Sequence, residues 1–342
     1  MNRDSGLNRI DAALEKHWQT GTREFTREKL SGDAGHRTYY RSRHANESIV
    51  VMDTKHPLDP GTDPFITIDR YLASRDLPVP DILDVHPDTG ILLLQDLGDT
   101  TLQHLFHSHQ ETVLNSEYDQ VLDLLVRMHT RCDIADSSMP APVRNARFDY
   151  DKLRWELDFF HTHFIAGYRN IRLDTAEARI LTRTFDALCR RLDEEKPLVF
   201  THRDFHSRNL MVTGGKVVMI DFQDARLGLP EYDLASLLRD AYVELPEPFI
   251  DQFLAEYYSA THDPRDAHRQ RTVFALMCIQ RNLKALGTFG YQTMAMNNPH
   301  YIRYVPILGR HILRELDFLE SGTGTDLPDP RGFRSIVHGI LD

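Results

Sequence analysis

Four polar residues at fixed spacing constrain this chain more than any other feature. His202, Asp204 and Asn209 fall within THRDFHSRNLMV, and Asp221, in IDFQDA, follows Asn209 by twelve residues. Short apolar runs frame them: LVF (Leu198 to Phe200) leads in, LMV (Leu210 to Val212) follows, and VVMI (Val217 to Ile220) comes next. Thr213, Gly214 and Gly215 separate the last two runs, and glycines supply the positive φ of a tight hairpin turn. The segment is therefore expected to be a polar loop leading into a β-hairpin. Any fold that accommodates it must hold several hydrophilic side chains between buried strands.

The chemistry of that loop follows from its order. In phosphoryl transfer by kinases an aspartate accepts the proton of the attacking hydroxyl. An asparagine five residues on and an aspartate on the next strand hold the metal ions that neutralise the ATP phosphates. Asp204 fits the first role, and Asn209 and Asp221 the second, which implies ATP and Mg²⁺ as cofactors. His202 is expected to support the loop structurally. A single aspartate would be a cap or a solvated loop residue; the matched spacing of four residues carries the reading.

The chain has 342 residues, 41% of them hydrophobic, enough for two lobes with cores of their own. Its formal charge of −11 argues against a nucleic-acid partner, because neutralising many phosphates takes clustered Lys and Arg. A small-molecule acceptor is expected instead. Cys132, Cys189 and Cys278 lie far apart in helical-looking segments, as buried apolar residues of a reducing compartment do. No signal-like or membrane-length apolar stretch stands out, so we expect a cytoplasmic protein with no membrane contact and no obligate protein partner.

The pattern predicts an α+β, bilobal, protein-kinase-like fold: a small β-rich nucleotide-binding lobe over 1–98 and a helical lobe over 99–342. In the first, a helix over Leu7 to Trp18 precedes potential strands flanking LSGDAGHRTYYRSR and a buried strand at SIVVMD. Asp63 before Pro64 caps a helix, and GILLLQDLGD is a further strand. From Thr100 onward helices dominate: Ser116 to Cys132, Tyr150 to Phe164, Thr175 to Leu192, Tyr232 to Val243, Glu247 to Thr261, Arg265 to Leu286 and Pro299 to Glu320. The turn-rich tail after Glu320 is expected to pack loosely until its last few residues.

For the nucleotide, SGDAGHR (Ser31 to Arg37) is placed at a hairpin turn where small residues let backbone N–H groups approach phosphates. The strand lysine of the kinase template is missing. IVVMD offers Met52 and Asp53, and FITIDRYLAS lacks the partner Glu. Arg37 is the expected substitute, ahead of Arg41 and Lys55. Adenine is expected against the backbone of Gln95 to Leu97, with apolar walls from Val51 and Ile220, two residues that read first as core, in the cleft bounded by Gln95 to Asp99.

These residues resemble the aminoglycoside phosphotransferase and choline kinase superfamily of kinase-like folds. GLPEYDLASLLRDAY looks like the superfamily's segment after the metal aspartate, and the resemblance implies that Asp233 braces the catalytic loop through backbone hydrogen bonds. Within the superfamily, VVMD without a strand lysine, LPVPDIL with GILLLQDLGD, HRDFHSRNLM, VVMIDFQDARLGLPEYDLASLLRD and QRNLKALGTF are similar to a family of bacterial anomeric amino-sugar kinases. That resemblance implies ATP-dependent phosphorylation of N-acetylmuramate and N-acetylglucosamine at C1 in peptidoglycan recycling. The acceptor is then expected near His206 and Arg208 of the loop and near Arg281 and Lys284, which share a helix face. Two alternatives are a kinase for an aminoglycoside, choline or homoserine acceptor, and a nucleotide-binding regulator without turnover. The basic QRNLK helix opposes a cationic acceptor, and the intact Asp204 opposes the regulator.

Overall fold

The computed structural model describes residues 3–21, 24–30, 37–321 and 327–341. Residues 31–36, most of the expected phosphate-covering turn, lie outside the described residues. The chain divides into two compact units, Met1–Thr100 with Met211–Gln223, and Thr101–Leu210 with Asp224–Asp342. The expected boundary at 98–99 differs in one respect, since the hairpin after the catalytic loop is grouped with the first hundred residues. Two hydrogen bonds explain why: Val212 donates to the Thr100 carbonyl at 2.8 Å and Met219 to the Pro78 carbonyl at 2.9 Å.

The first unit opens with α1 (Arg3–Trp18), then β1 (Thr26–Lys29), β2 (Thr38–His44) and β3 (Glu47–Asp53). Next come α2 (Pro64–Ala73), β4 (Ile82–His86) and β5 (Ile91–Gln95). The strands form one antiparallel sheet in the order β1-β2-β3-β5-β4. Alternation along the strands sets which side chains meet α1. Ile49, Val51, Ile91 and Leu93 pack against Ile10, Ala13 and Leu14, so Val51 is a core residue under α1, as its apolar strand suggests. The cap of α2 is as expected, with Asp63 Oδ1 accepting from the Ile66 N–H at 3.2 Å.

The second unit begins with α3 (Leu102–Arg131), α4 (Ala141–Arg144) and α5 (Tyr150–Phe160), which runs on into a π-helical segment, His161–Tyr168. After α6 (Thr175–Asp193), β6 (Val199–Thr201) leads into the catalytic loop. The chain then makes β7 (Leu210–Thr213) and β8 (Lys216–Met219) of the first unit's hairpin, turning on Gly214 and Gly215 at φ 55° and 73°. It returns through β9 (Arg226–Gly228), antiparallel to β6. Then follow α7 (Glu231–Leu238), α8 (Glu247–Ala260), α9 (Ala267–Met294), a 3₁₀ turn at Pro299–Tyr304, α10 (Val305–Ser321) and α11 (Pro330–Leu341).

Several helical boundaries depart from expectation, and α7 ends at Leu238, five residues before Val243. α3 begins fourteen residues early because Thr101 caps it, accepting from the His104 N–H. α9 extends eight residues beyond Leu286, across two glycines whose lack of a side chain lets it press on the neighbouring backbone. The last part of the tail, α11, is a helix that buries Phe333, Ile336, Val337 and Ile340. Its apolar residues recur at helical spacing, a signal masked by the turn-rich run before it. The three cysteines are buried thiols, as expected.

The contact between α9 and the end of α5 is backbone on backbone. A Cβ at Gly287 would lie 2.7 Å from Phe160 Cα, and one at Gly290 would collide with the His163 carbonyl. Overpacking of this kind costs about 1–3 kcal/mol. Gly290→Ala is therefore expected to lower stability by about that amount, read as a shifted urea midpoint, whereas Gly339→Ala, with open space around it, should leave the midpoint unchanged or slightly raised.

Candidate active site

The catalytic loop runs from the end of β6 to the start of β7, and its backbone is fixed by a carboxylate behind it. Asp233, fully buried on the first turn of α7, accepts from the His202 N–H at 2.7 Å through Oδ2 and from the Arg203 N–H at 2.9 Å through Oδ1. Its Oδ2 also meets His129 Nε2 at 3.2 Å. Arg203 sits at φ 81°, a left-handed conformation that costs a non-glycine residue about 1–3 kcal/mol unless its surroundings impose it; the Asp233 bond does so. A second buried aspartate, Asp240, accepts from the Ser207 N–H at 2.9 Å and the Ser207 hydroxyl at 2.5 Å. Between these anchors the Asn209 amide donates to the Asp204 carbonyl at 3.0 Å, which turns its oxygen end away from that bond. The His202 ring is buried edge-on to Phe205.

Asp204 is ringed by cations. Lys284 Nζ lies 3.4 Å from its Oδ1 and Arg203 Nε 4.0 Å from its Oδ2, with a quarter of the Asp204 side chain exposed. Burial pushes the carboxyl up, but Lys284, Arg203, His206 and Arg281 outweigh it and hold the group well below the usual carboxylate range. Asp204 is thus an ionised acceptor at neutral pH. Burial pushes the His206 imidazole down to about 4, against the pull of Asp240 and Asp204, so at pH 7 it is neutral.

The other acceptor-side residues are set as follows. Arg208 stacks on Tyr242, 3.6 Å from the ring centroid, and donates to Gln103 Oε1 at 2.9 Å and Tyr304 Oη at 2.7 Å. Arg281 is buried and donates to Ser236 Oγ at 3.1 Å, and that hydroxyl donates to the Tyr232 carbonyl at 2.8 Å. Of the four, Lys284 is the one ion-paired with Asp204. Sequence reasoning missed Lys152 on α5. Its only sequence signal is the i, i+4 pairing with Glu156, which reads as an ordinary solvated helix pair. In the structure Glu156 is fully buried, and Arg203, Arg226 and Lys284 act electrostatically on Lys152.

In the first unit, Asp221 sits just after β8 at φ 67°, with Gln223 Nε2 donating to its Oδ1 at 2.6 Å. Phe222 stacks on Phe65 of α2 with ring centroids 5.1 Å apart, and the Arg37 guanidinium lies 5.6 Å from the same Phe65 ring. Arg37 also hydrogen-bonds Tyr39, whose hydroxyl is pushed up by burial, with Arg37 opposing and Asp221 adding. Arg37 and Asp221 are therefore each close enough to act on Tyr39. Arg41, by contrast, is consumed by the segment after β5. It donates to both oxygens of Asp96 at 2.7 and 2.9 Å, to Asp99 at 2.7 Å and to the Gly98 carbonyl at 2.9 Å. Asp53, where the template has its lysine, pairs with Arg9 of α1 at 3.3 Å, and Lys55 is exposed. Gln95 is exposed and pairs its backbone with Asp81, while Leu97 packs with Met211, Val218 and Ile220.

Among the described residues no group of three or more His, Cys, Asp or Glu could hold a metal ion. Asn209 offers an amide oxygen and Asp221 a carboxylate, both ligand types that Mg²⁺ takes in kinases, where it holds one or two protein oxygens and fills its shell with phosphates and water. No helix among the described residues is long and apolar enough to cross a membrane.

Comparison with known proteins agrees with this fold. The model of the phosphotransferase enzyme family matches residues 26–269. A relative from Pseudomonas aeruginosa, named N-acetylmuramate/N-acetylglucosamine kinase, is 32% identical over 287 residues, covering 82% of this chain and 81% of the relative. Choline kinase from Cryptosporidium parvum superimposes with a TM-score of 0.63 at 14% identity, over 97% of this chain and 99% of that one. An ADP-bound aminoglycoside phosphotransferase superimposes with a TM-score of 0.59 at 14% identity, over 88% and 96%. At that identity the two structures show the shared kinase-like fold.

Removing the Asp233 carboxylate would leave two N–H groups of the loop without an acceptor, at about 1–3 kcal/mol each. Asp233→Ala is accordingly expected to lower the thermal midpoint by several degrees and turnover by at least about tenfold. Denaturation and steady-state assays on one preparation check both.

Proposed function

The chain belongs to the phosphotransferase enzyme family, and from that premise we propose that it uses ATP and Mg²⁺ to phosphorylate the C1 hydroxyl of N-acetylmuramate and N-acetylglucosamine. The name of the Pseudomonas aeruginosa relative supplies the acceptors. The observation that carries the reading is the ionised Asp204 set among Lys284, Arg203 and His206.

An anomeric hydroxyl is more acidic than an ordinary alcohol, so its partner need not be a strong base. A carboxylate held well below its usual range is a weak base that orients the hydroxyl and takes its proton late, as bond formation to phosphorus proceeds. Lys284, paired with Oδ1 of that carboxylate, adds positive charge where negative charge moves. His206, neutral at pH 7, contributes hydrogen bonding without a net charge. Arg208 and Arg281 act from behind, Arg208 through Tyr242 and Tyr304 and Arg281 through Ser236. We assign Asn209 and Asp221 to Mg²⁺, which when bound would neutralise the phosphate oxygens, and Arg37 to the phosphates in place of the strand lysine. Adenine is assigned to the backbone of Gln95 and Leu97. A sugar 1-phosphate is the form that nucleotidyl transfer consumes, which places the product in recycling of cell-wall amino sugars inside the cytoplasm.

Phosphorus NMR after incubation with ATP and either sugar should show a product whose phosphorus couples to the anomeric proton. Turnover of the methyl glycoside, or a product phosphorylated at C6, would overturn the anomeric assignment. Asp204→Asn should retain ATP binding and lose about 10²- to 10⁴-fold in turnover, the usual worth of a positioned general base. Wild-type rates in that variant would remove Asp204 from the mechanism. Asp221→Ala should abolish the Mg²⁺ dependence of ATP binding, and Asn209→Ala should weaken it less, because a neutral amide is the poorer ligand for a hard cation. Calorimetric titration with and without Mg²⁺ reads both.

A further inference from the structure

A cluster beside Asp204 is left unused by the phosphoryl-transfer roles. Lys152 stands on the first turn of α5, its Nζ 3.7 Å from Glu156 Oε1 and 3.9 Å from the centre of the Trp155 ring. Glu156 is fully buried, and its Oε2 accepts from Gln280 Nε2 at 3.0 Å and from the Tyr232 hydroxyl at 3.3 Å. α9 and α7 thus hold the carboxylate that sets where the Lys152 ammonium stands. Gln280 and Lys284 are one turn apart on α9 and share a face, so the Lys284–Asp204 pair stands one turn along from the Gln280–Glu156 bond. The backbone contact of Gly287 with Phe160 keeps α5 and α9 at that spacing.

The charges in this cluster are crowded. Burial pushes the Lys152 ammonium down, Glu156 opposes, and the positive Arg203, Arg226 and Lys284 push it further down. Arg203 is answered by Asp224 at 3.1 Å and Lys284 by Asp204, and the Arg226 guanidinium lies over the Phe148 ring at 5.0 Å with its Nε donating to the Asp224 carbonyl at 3.4 Å. Cations that repel one another in a half-buried place become more stable when an anion arrives. Beside the ammonium, Trp155 is 54% exposed, an indole left in water next to a fixed positive charge. An aromatic face with one convergent charged group is how small-molecule sites orient a ring that carries an ionic substituent. N-acetylmuramate has such a substituent, a lactyl carboxylate, and N-acetylglucosamine lacks it.

We propose that Lys152, positioned by Glu156 and flanked by Trp155, recognises the carboxylate of an acidic amino sugar and makes N-acetylmuramate the preferred acceptor. The inference rests on the sugar-kinase reading and adds to it a specificity residue on α5. It separates two duties among the lysines: Lys284 serves the reacting hydroxyl, and Lys152 the substituent.

The test compares kcat/KM for N-acetylmuramate, its methyl ester and N-acetylglucosamine in the wild type, Lys152→Met and Lys152→Arg. In the wild type the acid should exceed its ester by about tenfold or more, the worth of a hydrogen bond to a charged group. Lys152→Met should close that gap and leave N-acetylglucosamine within about twofold of wild type, and Lys152→Arg should retain most of it. Equal loss on all three sugars, or a gap that survives Lys152→Met, overturns the proposal. So does a wild type without the gap, a result that needs no variant to fold. A wild type that turns over neither sugar overturns the sugar-kinase reading, and this inference with it.

Discussion

The site depends on one buried carboxylate. Asp233 takes two consecutive backbone N–H groups of the catalytic loop on its two oxygens, and in doing so imposes the positive φ of Arg203. The loop has little secondary structure of its own. Without an acceptor at that point, its buried N–H groups would have to turn outward to water, and the side chains that follow would turn with them. Asp240 repeats the device at Ser207. Both aspartates belong to the stretch that begins at α7, so a short helix with an irregular exit positions Asp204 by bonding to peptide groups.

Around this anchor the second unit concentrates charge. Asp204 is embedded among Lys284, Arg203 and Arg281 in a chain whose formal charge is −11, a local inversion of sign that suits the anions of phosphoryl transfer. Helices α5 and α9 carry the lysines, and their separation is set by two glycines on which no side chain fits. A substitution at Gly290, remote from Asp204 in sequence, would move the helix that carries Lys284. Packing and electrostatics are coupled here because the charged groups stand on elements whose backbones touch.

The first unit answers the missing strand lysine by redistributing its charges. Asp53 ties α1 to the sheet through Arg9, and Arg41 locks Asp96 and Asp99 in the segment after β5. Arg37 is left beside Tyr39, whose hydroxyl also feels the charge of Asp221. In α2 the buried Asp69 carboxyl is pushed up to about 7 by burial, with Asp81 adding and Arg70 opposing, so it is a poor counter-ion for any cation. The lysine and its helical partner are absent together, as two halves of one interaction.

How much could be read beforehand follows from the range of each interaction. The loop HRDFHSRN, the hairpin turn at Gly214 and Gly215, the Asp63–Pro64 cap and most of the helices were legible, because caps, turns and periodic apolar faces are written within a few residues. That Val51 belongs to the core was legible from its apolar strand, but which face of that strand meets α1 was not, since it depends on a helix some forty residues earlier. Lys152 was invisible for the same reason. As sequence it is a lysine one turn from a glutamate; its meaning comes from Gln280, Tyr232 and Lys284, which folding brings to it. The sequence by itself determined which residues can do the chemistry, because acidity, metal preference and backbone freedom are properties of residue types at set spacings. Only the tertiary structure decided which charges lie near which, because burial and charge–charge distance are set by helices far apart in the chain.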